Sequence, residues 1–120
     1  LMLLAMAATY DPDPAAPNDF FVPYDLCTGE RIEARWRQWL KHDPVNMVSV
    51  SARRLAKLKG IFIDCGSRDQ FHIHFGSRQL SMQLTRHGLG HHYEEFSGTH
   101  SGIDYRMDVS LPFLAKALAP

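Results

Sequence analysis

An excess of charge is the first thing missing: Lys plus Arg and Asp plus Glu number 13 each among 120 residues. No net field therefore favours nucleic acid or an anionic membrane as a partner. The one local basic run, Arg53-Arg54-Leu55-Ala56-Lys57-Leu58-Lys59, keeps its apolar residues at helical spacing and reads as a solvated helix face. Cysteine is scarce as well. Cys27 and Cys65 lie far apart and make neither a disulfide framework nor a metal signature, so a reduced, cytoplasmic protein is the default reading. No apolar run is long enough to span a bilayer. Residues 1–8 resemble the apolar core of a signal peptide but have no basic flank before them. A chain that opens inside an apolar run is expected to be the carboxyl-terminal portion of something longer. Repeats and low-complexity segments are also absent. What remains, 45% hydrophobic and 22% charged, is the composition of a folded domain, and the length is about that of one small domain.

Residues 1–9 are apolar and small, and predict a short helix. From Tyr10 to Asp19, three prolines and three aspartates exclude regular structure. Phe20 to Tyr24 continues extended, because a residue before proline is pushed out of the helical region. Thr28 then predicts the cap of a helix of about three turns that ends at Pro44. Ile32, Trp36, Trp39 and Leu40 fall on one face of it, with Arg35, Arg37 and Lys41 opposite. The tryptophans read as core, not as a ligand platform. A shorter helix is expected around Ala52 to Leu58.

The centre of the chain is residues 60–100. Gly60 to Cys65 is apolar almost without alternation, as a parallel strand covered on both faces requires. Gly66-Ser67-Arg68-Asp69 follows as a turn that presents an acid. Residues from about Ile73 to His87 predict a helix ending at Gly88 in a left-handed cap. His91 to Phe96 reads as the second strand, and Ser97-Gly98-Thr99-His100 as a turn that presents a histidine. A last helix is expected from near Ile103 to about Leu118, bent at Pro112. The order strand, helix, strand, helix implies a parallel α/β crossover unit. Each of Asp69 and His100 would then leave the carboxyl end of a neighbouring strand, where an acid and a base converge in enzymes of this architecture.

The same residues carry a family resemblance. Ile63-Asp64-Cys65-Gly66-Ser67-Arg68-Asp69, Gly76-Ser77-Arg78-Gln79-Leu80, Tyr93-Glu94-Glu95-Phe96-Ser97-Gly98-Thr99-His100-Ser101 and Tyr105-Arg106-Met107-Asp108-Val109-Ser110-Leu111-Pro112 resemble the end of an esterase family. That family groups enterochelin-esterase-like, feruloyl-esterase-like and S-formylglutathione-hydrolase-like proteins. The likeness is close over 60–118. It is looser over 1–59, where Met6-Ala7-Ala8-Thr9-Tyr10-Asp11-Pro12-Asp13 and Trp39-Leu40-Lys41-His42-Asp43-Pro44 resemble a segment inserted before the acid-bearing strand. It implies the carboxyl-terminal part of an α/β-hydrolase fold, with a cap-like segment at 1–59 and the core at 60–120. It implies Asp69 as the triad acid, His100 as the triad base and an ester-type small molecule as substrate, with no cofactor. His72 and His74, just after the acid turn, would line the mouth of the pocket.

One part of the pattern is missing. No Gly-x-Ser-x-Gly elbow occurs in the 120 residues, and neither cysteine lies on a strand-to-helix elbow. The chain alone is therefore expected to hold half of an active site and to form no acyl-enzyme. An amino-terminal companion carrying the serine, or self-association, is expected to cover the unfinished sheet. The competing class is a noncatalytic binding or assembly module that kept a hydrolase shape. A metal site built from His72, His74, His91 and His92 near Asp69 is disfavoured, because adjacent histidines on a strand point to opposite faces.

Overall fold

The computed structural model describes residues 2–119 and divides the chain into two compact units, Leu1–Met47 and Val48–Pro120. The division falls inside a helix, upstream of the 59/60 boundary read from the sequence.

In the first unit, helix α1 (Met2–Tyr10) is followed by a long loop and helix α2 (Glu33–Leu40). Tyr10 packs edge-on against the buried Trp39 at 5.6 Å and stacks on His42 at 4.8 Å. The loop is ordered by its own contacts. Asp11, buried, accepts from Arg35 Nη1 at 2.9 Å, and the same guanidinium lies 3.6 Å over the Phe21 ring. The helix expected from Thr28 starts later. Asp25 Oδ1 accepts the N–H groups of Cys27 and Thr28 at 2.9 and 2.7 Å, and Gly29 closes the turn at φ +75°. Thr28 is thereby held in a turn that joins the Tyr24–Arg31 bridge. Pro44 does not merely end a helix; it begins α3 (Pro44–Leu55) at the first helical position, where a missing N–H costs nothing.

The second unit contains the rest of α3, strand β1 (Phe62–Gly66), helix α4 (Ile73–Arg86), strand β2 (His92–Phe96), a 3-10 turn (Asp104–Arg106) and helix α5 (Met107–Leu118). The strands pair in parallel, from Phe62 opposite His92 to Gly66 opposite Phe96. Val48, Leu84 and Leu89 form the buried core, packed by Ala52, Leu55, Ile61, Ile63 and Leu80. Helix α4 ends in a Schellman motif, with Leu89 N–H donating to Leu84 O at 2.9 Å and Gly88 N–H to Thr85 O at 3.0 Å. Gly88 takes φ +67°, a conformation costly for a residue with a Cβ. Helix α5 continues through Pro112. Among the described residues, no helix is long and apolar enough to cross a membrane.

Strand β2 is more polar than a strand with two covered faces usually is, and its charges are met from afar. Glu95 accepts from Arg78 of α4 at 2.5 and 2.7 Å and from Tyr93 Oη at 2.5 Å. Arg106, ahead of α5, donates to Asp64 at 2.8 Å. Its Nη2 stands 2.9 Å from Glu94, at ion-pair distance without hydrogen-bond alignment. Arg78 and Tyr93 hold the Glu95 carboxyl down to about 2. Burial, reinforced by Glu95, pushes the Tyr93 phenol up to about 12.

Candidate active site

The site forms where the two strands end together. Gly66 pairs with Phe96 in the last register position, and the turns that follow are laced across it. Ser67 N–H donates to Phe96 O and Arg68 N–H to Gly98 O, both at 2.9 Å. These bonds fix the loop carrying Asp69 against the loop carrying His100. Asp69 Oδ2 accepts from His100 Nδ1 at 2.9 Å, inside the range expected for a positioned acid and base.

The partners of Asp69 explain its state. Its side chain is only 3% exposed. Burial alone pushes the carboxyl up. Hydrogen bonds from His100 Nδ1, Phe71 N–H at 2.8 Å and Ile73 N–H at 3.5 Å, with the His100 charge, outweigh burial and hold it below the usual carboxylate range. The Asx turn that a Gly-x-x-Asp sequence suggests is therefore present, and it coexists with the bond to histidine. One oxygen serves the turn and the other the imidazole.

A carboxylate only accepts, so His100 Nδ1 carries the hydrogen and Nε2 of the neutral ring keeps a lone pair. The His100 side chain is 50% exposed, and among the described residues no group bonds its Nε2. Gln70 Oε1 accepts the His100 backbone N–H at 3.2 Å, and Phe71 packs edge-on against the imidazole at 4.9 Å. Three consecutive residues of the acid turn thus grip the histidine. Neither Gln70 nor Phe71 stood out in the sequence, because a glutamine or phenylalanine after a turn carries no motif.

His72 and His74 are placed differently from each other. His72 is exposed and takes a left-handed φ of +58° as the residue before α4. His74 is buried in the first turn of α4, its ring tilted against Phe75 at 4.2 Å, with Nδ1 buried and unpartnered. Their rings stand 5.9 Å apart. Among the described residues, no three His, Cys, Asp or Glu side chains converge in a group able to hold a metal ion. Cys65 lies beneath the pair, with Sγ 4.0 Å from Asp69 Oδ2. Burial pushes its thiol up against a lowering bond to Ser77, and the charges of Asp69, Glu95 and Asp64 push it up further. A thiol held neutral is a poor nucleophile.

Compared with known proteins, the chain matches no family model and no curated sequence.

Proposed function

We propose that Asp69 and His100 are the acid and base of a serine carboxylester hydrolase whose nucleophile comes from outside these residues. The observation that carries the reading is the 2.9 Å bond from a half-exposed imidazole to a buried carboxylate at the shared end of two parallel strands. In this reading, His100 Nε2 takes the proton of the serine hydroxyl as its oxygen attacks the acyl carbon. His100 then returns that proton to the leaving alkoxide, and Asp69 stabilises the imidazolium between the two steps. The substrate class is an ester-type small molecule.

The sheet supports a companion strand. Helices α4 and α5 both contact β1, whereas β2 carries Glu94 and Glu95. Charged residues suit a terminal strand, and cover by two helices suits an interior one. The outer edge of β1 is thus the side on which further strands would add, from an amino-terminal companion or a second copy.

The test is the reading frame upstream of Leu1 and the protein that it encodes. An upstream Gly-x-Ser-x-Gly elbow is expected, with hydrolysis of p-nitrophenyl esters that falls by about a thousandfold or more in His100→Ala. An upstream sequence with no such elbow, and no serine-bearing polypeptide that restores hydrolysis, would leave the noncatalytic module as the reading.

A further inference from the structure

A serine–histidine contact lies at the opposite end of β2 from His100. The Schellman motif that ends α4 turns the chain back along the helix, and this carries His91 alongside Ser81. His91 Nδ1 lies 2.9 Å from Leu89 O, and Nε2 lies 2.8 Å from Ser81 Oγ. A backbone carbonyl only accepts, so Nδ1 carries the hydrogen and Nε2 of the neutral ring has a lone pair. The Ser81 hydroxyl therefore donates to Nε2. A serine aimed at an imidazole whose tautomer is fixed by a third group is the arrangement that activates a hydroxyl for attack. Both side chains are half-buried, and His91 lines a cavity of about 450 Å³ with Leu55, Lys59, Gly90 and Phe113.

We propose that Ser81 is a nucleophile activated by His91, which accepts one acyl group from an activated ester. Ser81 Oγ bonds to the acyl carbon as its proton passes to His91 Nε2. The ester C–O bond breaks, and the leaving oxygen departs with the bonding pair and takes the proton from Nε2–H. Leu89 O holds the imidazolium through Nδ1–H throughout. Ser81 sits in mid-helix, where backbone N–H groups are bonded to carbonyls one turn back and cannot form an oxyanion hole. Acylation therefore depends on an ester with a good leaving group, and the acyl-serine, an ordinary alkyl ester, turns over slowly. This site is separate from Asp69 and His100, and the absence of an elbow serine does not bear on it.

The experiment treats the 120-residue chain with p-nitrophenyl acetate and maps the acetyl group by mass spectrometry. The expected result is a burst of one equivalent of p-nitrophenolate and acetylation at Ser81, absent in Ser81→Ala. In His91→Gln the rate should drop on the order of a hundredfold, the usual scale of general-base assistance. Unmodified Ser81, or a rate within about threefold of wild type in a folded His91→Gln, would overturn the proposal. If that variant does not fold, the wild-type pH profile decides. Acetylation must rise in step with deprotonation of His91 followed by imidazole NMR, and a rate insensitive to that titration refutes it. Loss of ester hydrolysis in His100→Ala tests Asp69 and His100 independently of the outcome at Ser81.

Discussion

Gly66 and Gly98 stand so close that a Cβ on Gly66 would lie 2.6 Å from the Gly98 carbonyl oxygen, and 2.5 Å from that of Thr99. Real Cβ atoms do not approach backbone oxygens this closely. The strand end that leads to the acid and the loop that holds the histidine are therefore in contact through backbone alone.

Gly66→Ala should consequently push the two loops apart. A cost of about 1–3 kcal/mol is expected, the range for forcing extra volume into a packed site. In the same variant the Asp69–His100 bond should weaken, read as loss of the fixed Nδ1–H tautomer in imidazole nitrogen NMR. Unchanged stability with an unchanged tautomer would contradict the packing described.

Asp69 should make stability depend on acid in one direction. Its carboxyl is held below the ordinary value in the folded chain, so its contribution is complete above about pH 4 and disappears as pH falls through the lower folded value. Urea unfolding of wild type and Asp69→Asn should show wild type ahead at neutral pH and the difference closing in acid. A difference that widens in acid would reverse the assigned direction.

Tyr93 should be the phenol that resists ionisation. Raised to about 12, it favours the folded state fully below the ordinary tyrosine value, and this contribution is lost as pH rises through about 12. An alkaline titration followed by tyrosinate absorbance should show one late step near 12. That step should vanish in Tyr93→Phe and move down in Glu95→Gln. Its persistence in Tyr93→Phe would assign it to another residue.

The unfilled edge of β1 should make the isolated chain associate. The described surface also exposes Phe75 and Met82 on α4 and Leu111 and Leu118 on α5. Light scattering at micromolar concentration should find dimers or larger species. A monomer with a cooperative melt would show that two strands and their helices suffice.

How much of this was legible in sequence follows from how local each signal is. The crossover unit was, because α4 and its Gly88 cap announce themselves through spacing and one glycine. The placement of Asp69 and His100 at strand ends was legible for the same reason. The start of α2 was not. Thr28 looks like a helix cap, but Asp25 three positions earlier takes it into a turn. The polarity of β2 was hidden as well. Glu94 and Glu95 face opposite sides of the sheet, and each is met by an arginine from a different helix region. Nothing within a strand's length of sequence reports such a partner.

Asp69 and His100 lie in the turns that follow neighbouring strands joined by a single crossover helix, so no other part of the chain need be threaded between them. The stretch that holds the pair is uninterrupted. Genetic exchange that moves this stretch carries Asp69 and His100 together, already in register. The unit that is inherited would be the oriented imidazole with its carboxylate.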